Sequence, residues 1–197
     1  MTSINGRRIS LARIPYPDPS QAPDGVRETL AAMPPLNIFR MLAYAETAFR
    51  PFVYFGGAIL ADLQLDPKLR ELAILQVAKD SSAEYEWVQH VAIGLGVGLT
   101  DKQIAAVQRG DDRDPSLSDA DRAVLRFAAE VIDTARVSDE TFATVSRSLG
   151  HREIVELLLT IGTYLTLARV MTTLELEIDE AVPGQVLDST QTLRSAQ

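Results

Sequence analysis

Start signals of α-helices recur along most of this 197-residue chain, and no segment shows the apolar–polar alternation of a half-buried β-strand. Residues that can cap a helix N-terminus precede several apolar stretches, as at Asp66, Thr100, Ser118 and Ser138. Pro67 directly follows Asp66, and proline is well tolerated at the first position of a helix. We therefore predict an all-α fold.

The same signals predict the organisation of the chain. We expect an extended N-terminal arm over residues 1–24, a single domain over 25–180 and a polar tail over 181–197. Asn37 is expected to cap a helix, and Pro51 to open the next one. The predicted helices cover residues 26–33, 37–49, 52–63, a stretch from 67 onward, 83–94, 100–110, 118–136, 138–150 and 151–176.

The last predicted helix, over residues 151–176, is mostly apolar, and its middle at 161–168 has no charged side chain. A helix that is apolar all round is buried in its own domain or in a subunit interface. Because few partner helices remain to cover it, we expect a homo-oligomer. No run approaches about 18 uninterrupted apolar residues, so no membrane-spanning helix is expected.

Composition excludes several classes of function. The chain carries 19 Lys and Arg against 27 Asp and Glu, a net charge of −8, which disfavours binding to nucleic acid or to an anionic membrane. It has no cysteine, which excludes disulfides, thiolate metal sites and cysteine nucleophiles. The N-terminus lacks the apolar region of a signal peptide, so we expect a cytoplasmic protein.

One group of residues has the composition of an acid/base site. Glu86 and His90 are four residues apart, so a helix places them on one face. Glu71 stands among apolar residues on the preceding predicted helix. A carboxylate beside an imidazole tunes a proton donor or acceptor, and a desolvated carboxyl group holds its proton at neutral pH. The same three side chains could also ligate a metal, or have only a structural role.

Other residues near this group are candidates for binding a substrate. Tyr85 and Trp87 flank Glu86 and are expected to line a pocket, while Arg70 or Arg40 could bind a substrate carboxylate. Tyr164, in the last predicted helix, is expected in the core with its hydroxyl hydrogen-bonded inside.

Four segments together resemble the carboxymuconolactone decarboxylase family, which includes the alkylhydroperoxidase AhpD-like proteins. They are Pro-Pro-Leu-Asn-Ile-Phe-Arg-Met-Leu from residue 34, Leu-Asp-Pro-Lys-Leu-Arg-Glu-Leu-Ala-Ile-Leu-Gln-Val-Ala from 65, Glu-Tyr-Glu-Trp-Val-Gln-His-Val-Ala-Ile from 84 and Gly-Leu-Thr-Asp-Lys-Gln-Ile from 98. The resemblance covers residues 34–176. It implies an all-α, AhpD-like helical bundle and homo-oligomers, as dimers, trimers or hexamers.

The peroxidase branch of that family carries a Glu and then a Cys-x-x-Cys-x-x-x-His motif. On this chain the resemblance places the Glu at Glu71 and the His at His90, whereas the two Cys positions hold Ala83 and Glu86. Tyr85 occupies the position of a frequent proton-relay His. Because peroxide reduction there requires two thiols, we expect no thiol peroxidase activity.

The decarboxylase side of the family implies a cofactor-independent lyase acting on a small lactone or carboxylic acid by acid/base chemistry. In that interpretation His90 donates or shuttles a proton, Glu86 orients His90, and Glu71 carries the proton. Two alternatives stay open at this point. One is a non-enzymatic oligomeric or ligand-binding protein, and the other is an enzyme that holds a metal with Glu71, Glu86 and His90.

Overall fold

A computed structural model of the chain describes residues 3–4, 7–8, 12–186 and 188–189. Within these residues the fold is all-α apart from one antiparallel pair of two-residue strands, β1 (Ser3–Ile4) and β2 (Arg7–Arg8), so the fold class is confirmed. The helices are α1 (Asp24–Ala32), α2 (Asn37–Leu42), α3 (Glu46–Ala61), α4 (Pro67–Asp80), α5 (Glu84–Gly96), α6 (Asp101–Arg109), α7 (Asp119–Thr134), α8 (Asp139–Val145) and α9 (His151–Thr173).

Helix α4 is the centre of the fold. It begins as its sequence predicts, with the Asp66 carboxylate accepting the backbone N–H of Lys68 at 2.8 Å and Pro67 at the first helical position. Every residue from 70 to 78 is buried, because α5, α6, α7 and α9 pack around the helix. A helix enclosed on all sides has no solvated face, so any charged group on it must find its partners inside the protein.

Three apolar clusters surround this arrangement. The largest joins α2, α3, α4, α7 and α9, and Phe127, Leu157 and Ile161 lie at its centre. A second cluster packs α6 against α4 and α7, and a third packs α1 against α3. Polar caps close the connecting turns: Thr100 and Ser118 each form a capping box at the starts of α6 and α7.

The predicted boundaries between residues 37 and 63 are wrong. Helix α2 ends at Leu42, and α3 runs through Pro51 rather than starting beside it. The chain turns at residues 43–45, which brings Ala43 and Phe49 together in the third cluster. Burial of these side chains decides the boundary, and the helix tolerates Pro51 although its Thr47 carbonyl then lacks its usual N–H donor.

Asn37 does not cap α2 as expected but is its first residue, and the cap position belongs to Leu36. The Asn37 N–H donates instead to the carboxylate of Asp179, at 2.6 Å, so the cap comes from 142 residues away. Helix α8 is also shorter than predicted: it ends at Val145, whereas the prediction extended to residue 150. Gly150 occupies the N-cap position of α9, where its N–H donates to Glu153 at 2.8 Å.

The two ends of the described chain meet over α2 and α5. The Arg13 N–H donates to the Leu174 carbonyl, and the Tyr16 hydroxyl donates to Glu177 at 2.5 Å. The predicted arm and tail fall partly outside the described residues, at 1–2, 5–6, 9–11, 187 and 190–197. Within the described part, the N-terminal segment lies on the chain's own C-terminal segment.

Helix α9 is the long apolar helix that the sequence predicts. By length and composition it would suffice to cross a membrane, contrary to the expectation, but half of its most apolar stretch is buried inside the protein. The core helix of a soluble protein meets the same criterion. Its outer face exposes the apolar side chains Val155, Leu158 and Leu159.

Candidate functional site

Glu71 lies at the centre of a buried network on α4. Its side chain is 0% exposed, and Oε1 accepts the Nε–H of the adjacent Arg70 at 2.9 Å. Oε2 lies 2.8 Å from Nδ1 of His90 on α5. Arg70 is itself buried and donates through Nη1 to the Leu60 carbonyl at 2.7 Å. Both oxygens of Glu71 are therefore engaged, and its charge is compensated inside the protein.

Helix α5 has a glycine, Gly94, where it passes Glu71 of α4. A Cβ atom at Gly94 would lie 3.8 Å from Cβ of Glu71 and only 3.0 Å from Cδ1 of Leu99. His90 is one helical turn before Gly94 and so lies beside α4 at hydrogen-bonding distance. The small residue and the histidine thus belong to one packing arrangement.

Glu71 selects one tautomer of His90. An ionised carboxylate only accepts hydrogen bonds, so Nδ1 of the neutral ring carries the hydrogen and Nε2 is left as an acceptor. Among the described residues Nε2 has no hydrogen-bond partner. The His90 ring packs edge-on against Tyr164 with ring centroids 4.7 Å apart. The ring is thereby held in place while one nitrogen stays free to exchange a proton.

Glu86 is buried without a partner. Its side chain is 2% exposed, and neither carboxyl oxygen has a hydrogen-bond partner in the described part of the chain. Burial raises the pKa of Glu86 well above its ordinary value, and the nearby charge of Glu71 raises it further. This carboxyl group therefore retains its proton at pH values where an exposed glutamate has lost it.

Glu86 and His90 line a cavity of about 100 Å³ between α2, α3, α5 and α9. This volume has room for several water molecules or a small organic molecule. Apolar side chains such as Phe52, Leu60 and Met171 form most of its wall. The polar groups of the wall are concentrated on α5 and α9, so a bound molecule would meet an apolar surface on one side and the acid/base groups on the other.

Tyr164 completes the polar side of the cavity, and the sequence reasoning missed its role. The expected internal hydrogen bond of its hydroxyl is absent among the described residues. Burial raises the pKa of Tyr164, and the charges of Glu71 and Glu86 add to this effect. The hydroxyl therefore stays protonated as a possible donor. Its spacing in a long apolar helix predicts only burial, which is why the sequence carried no signal for this role.

Tyr85 also lines the cavity, but its hydroxyl is engaged. It donates to the Asp179 carboxylate at 2.5 Å, and Gln89 donates to the Asp179 backbone carbonyl at 3.0 Å. Burial raises the pKa of Tyr85, and the hydrogen bond to Asp179 contributes to the same shift. Val186, further along the C-terminal segment, contributes to the cavity wall. Residues 177–186, which we call the C-terminal strap, are thus anchored beside the site.

Three residues proposed from the sequence lie away from the cavity wall. Arg40 contacts the Asn37 side chain and stacks on the Tyr16 ring near the molecular surface. Trp87 packs against the cluster formed by α4, α6 and α7. Arg70 is adjacent to the site but is committed to Glu71 and Leu60. The structure therefore brings Glu71, Glu86, His90 and Tyr85 together and leaves no free guanidinium among them.

The pairing within the site also differs from the expected one. The carboxylate that contacts His90 is that of Glu71 on α4. Glu86 is on the same helix as His90 but makes no hydrogen bond to it. Glu71, and not Glu86, therefore orients the ring. In the described part of the chain no group of three or more His, Asp or Glu side chains has the arrangement needed to hold a metal ion.

Comparison with known proteins supports one family. Residues 46–130 match the model of the carboxymuconolactone decarboxylase family. No curated protein matches the chain in sequence. An uncharacterised peroxidase-related protein with an alkylhydroperoxidase AhpD core, from Ralstonia eutropha JMP134, has a TM-score of 0.76 at 19% identity, over 91% of this chain and 98% of that one.

Two further solved structures have a similar fold. A peroxidase-related protein from Silicibacter sp. TM1040 has a TM-score of 0.73 at 17% identity, over 94% of this chain and 100% of that one. A cysteine-to-alanine variant of the debrominase Bmp8, bound to 2,3,4-tribromopyrrole, has a TM-score of 0.71 at 19% identity, over 92% and 100% of the two chains. At these identities the comparison shows the AhpD-like fold alone.

Proposed function

We propose that the protein, whose residues 46–130 match the model of the carboxymuconolactone decarboxylase family, is a cofactor-independent enzyme that transforms a small organic molecule by acid/base chemistry. The observation that carries this proposal is the buried carboxyl group of Glu86, which has no hydrogen-bond partner among the described residues and lines the same cavity as His90. His90, by contrast, contacts the carboxylate of Glu71. Titratable groups in such different environments are suited to opposite roles, one as a proton donor and the other as a proton acceptor.

The network assigns a role to each group. His90 accepts or returns a proton through Nε2, and Glu71 holds the ring and stabilises its cationic form during the reaction. Glu86 acts as the acid and donates to an oxygen on which negative charge develops. This assignment exchanges the roles of the two glutamates expected from the sequence.

A lyase step is consistent with these groups. When a carboxyl group leaves as CO2, the carbon–carbon bond breaks and its electron pair moves through the adjacent double bond to a carbonyl oxygen, forming an enolate. Before this bond breaks, Nε2 of His90 takes the proton of the carboxyl group. Glu86 holds the enolate oxygen by a hydrogen bond, and the protonated His90 then returns its proton to carbon, so both side chains end in their starting protonation states. No electron is gained or lost, so the step requires neither a redox cofactor nor a thiol. We therefore propose a decarboxylase-like lyase acting on a small lactone or carboxylic acid.

Thiol chemistry is not part of this proposal. The positions that hold both cysteines in the peroxidase branch are Ala83 and Glu86, and neither side chain can attack a peroxide or form a disulfide. The exchange of one of these thiols for the buried carboxyl group of Glu86 supports proton transfer and not thiol redox chemistry at this site. The debrominase structure, with its aromatic ligand, supports the inclusion of small heteroaromatic molecules among the compounds to be tested.

Exchange of carbon-bound hydrogen with solvent tests the proposed chemistry without knowledge of the natural substrate. The protein is incubated in deuterated water with a panel of small lactones and ketones, including γ-carboxymuconolactone, and deuterium uptake next to the carbonyl is followed by NMR. We expect catalysed exchange or turnover of at least one compound. Loss of about 10²-fold or more is expected in His90→Gln and in Glu86→Gln, the magnitude typical of removing a general acid or base.

The second histidine supplies the matched control. His151 is exposed at the start of α9, far from the cavity wall, so His151→Gln should retain wild-type exchange. Far-ultraviolet circular dichroism and melting temperature show whether each variant is folded. Absence of exchange and turnover across the panel in the wild-type protein, while a member of the panel binds, would instead indicate a ligand-binding protein.

A further inference from the structure

The charge inventory of the cavity restricts what it can bind. Its wall includes no lysine and no arginine, and His90 is the one basic side chain on it among the described residues. The nearest guanidinium, that of Arg70, is buried, ion-paired to Glu71 and bonded to the Leu60 carbonyl. A carboxylate ligand would therefore enter an apolar cavity that offers no free permanent cation to compensate for its lost hydration.

Acidic groups make the cavity still less favourable for an anion. Glu71 lies behind His90, and Glu86 is part of the wall. An acid could enter only in its neutral form, and at pH 7 an acid with a pKa near 4 is neutral in about one molecule in a thousand. This fraction alone would weaken the binding of an ordinary carboxylic acid by about three orders of magnitude relative to a neutral molecule of the same shape.

A cation is also disfavoured, for a different reason. It would require the Glu86 carboxyl group to ionise in a site where burial and Glu71 both oppose the loss of its proton. A neutral carbonyl oxygen has neither difficulty. It can accept a hydrogen bond from the protonated Glu86 or from the Tyr164 hydroxyl, two donors that have no acceptor among the described residues.

From this geometry we infer that the cavity binds an uncharged carbonyl compound with an apolar body, its carbonyl oxygen hydrogen-bonded by Glu86, and rejects carboxylates. The inference rests on the proposed function and narrows its substrate to a neutral lactone or to a carboxylic acid that enters in its protonated form. Loss of CO2 is open only to the protonated acid, because only that compound carries the carboxyl group that leaves. The inference extends to the reaction, because the oxygen held by Glu86 is the one that would carry the developing negative charge.

The groups that face Glu86 determine its response to pH. They are Glu71 from α4, with Arg70 behind it, Tyr164 from α9, and Tyr85 and His90 on its own helix; the parts of α2 and α3 on the wall contribute apolar residues and glycine. A ligand that accepts a hydrogen from Glu86 should bind with constant affinity while Glu86 is protonated. Its affinity should fall as pH rises through the pKa of Glu86.

Three planar probes of nearly equal size test the inference: benzamide, benzoate and benzamidinium, which differ in charge. Dissociation constants are measured by NMR titration of the full chain at pH 7. We expect benzamide to bind at least about 100-fold more tightly than benzoate, as the protonation argument requires, and more tightly than benzamidinium. Its affinity should weaken at alkaline pH in the wild-type protein and in Glu84→Gln, an exposed glutamate two residues away, but not in Glu86→Gln.

Each other outcome contradicts the inference. Benzoate binding as tightly as benzamide would show an anion site, and preferred benzamidinium would show a cation site with ionised Glu86. Failure of all three to bind at millimolar concentration would show that the cavity does not accept an uncharged planar carbonyl compound. If benzamide binds but no compound undergoes catalysed hydrogen exchange, the proposed function is wrong and the inference about the ligand stands. If only carboxylates are turned over, the proposed function stands and the inference is wrong.

Discussion

At the residue scale, the protein differs most from an ordinary helical bundle in the contrasting environments of two glutamates. Glu71 has a partner at each oxygen, whereas Glu86 has none among the described residues. Both are buried on adjacent helices, yet only one is compensated by a guanidinium. Burial raises the pKa of Glu86, and the charge of Glu71 adds to this shift. In the proposed mechanism this difference makes Glu86 the acid and leaves Glu71 to orient the base, His90.

The protonation of Glu86 links pH to stability. Because its pKa is higher in the folded than in the unfolded chain, its contribution to stability is fully present below the unfolded pKa, about 4.3, and is lost as pH rises through the folded pKa. Chemical denaturation across this range should show the free energy of unfolding decreasing more steeply with pH in the wild-type protein than in Glu86→Gln. Identical pH profiles for the two proteins would contradict this account, and Glu84→Gln should follow the wild type.

The buried ion pair predicts a large cost for neutralising Glu71. In Glu71→Gln the charge of Arg70, 4% exposed, is left without its partner, and breaking a buried pair costs about 3–5 kcal/mol. The glutamine amide would also donate to Nδ1 of His90 and shift the ring hydrogen to Nε2, which removes the acceptor from the cavity. Urea denaturation measures the first effect. A loss below about 1 kcal/mol, typical of exposed pairs, would show that the pair is not desolvated.

Part of the residue-level picture was predictable from the sequence. The four-residue spacing of Glu86 and His90 predicted that they share one face of a helix, and the apolar neighbours of Glu71 made a carboxylate there conspicuous. Which glutamate contacts His90 depends on the crossing of α4 and α5, which no local spacing specifies. Tyr164 was missed for the same reason, since burial of a tyrosine in an apolar helix does not reveal whether its hydroxyl finds a partner.

At the element scale, the site depends on how closely α5 approaches α4. Gly94 lies where α5 passes Glu71 of α4. A Cβ there would make an ordinary contact with Cβ of Glu71 at 3.8 Å but would lie only 3.0 Å from the side chain of Leu99, which follows α5. Sequence patterns predict best where a helix begins when a polar side chain caps that end, as Asp66 does for α4. The boundaries around α2 and α3 were predicted wrongly because packing of Phe49, and not the nearby proline, determines where the chain turns.

Replacement of glycine by alanine measures the close approach. In an open helical position the change stabilises a protein by about 0.5–1 kcal/mol, and Gly162 in α9, with nothing within 4 Å of its added Cβ, should show this gain. Gly94→Ala should instead destabilise the protein, by about 1–3 kcal/mol, as overpacked sites do. Thermal denaturation compares the two variants. Equal stabilisation of both would contradict the proposed role of Gly94.

At the scale of the whole molecule, residues distant in the sequence close the site. Asp179 joins the N-terminus of α2 to Tyr85 on α5, and Glu177 binds both Tyr16 and Asn37 through its side chain and backbone. These contacts hold the C-terminal strap against one end of the cavity. The sequence predicted an extended N-terminal arm but could not indicate that it lies against residues 174–177, because such long-range contacts leave no local pattern. Self-association of the chain stays a prediction.

Removal of the Asp179 carboxylate should release the C-terminal strap. In Asp179→Ala the Asn37 N–H and the Tyr85 hydroxyl both lose their acceptor, so hydrogen exchange should accelerate in residues 177–186 and at the start of α2. Glu180→Ala, an exposed neighbour, is the control and should exchange like the wild-type protein. Unchanged protection in Asp179→Ala would show that other contacts hold this segment.

The central claim is that Glu86 keeps its proton at neutral pH inside the cavity, and its titration tests this claim most directly. The carboxyl carbons of uniformly labelled glutamate are followed by NMR from acid to alkaline pH in the wild-type protein and in Glu86→Gln. We predict one resonance that is still protonated at pH 7, when exposed glutamates have ionised, and that is missing in the variant. The resonance that disappears in Glu86→Gln belongs to Glu86. If that resonance titrates in the wild-type protein with the ordinary pKa of a glutamate, the account is contradicted.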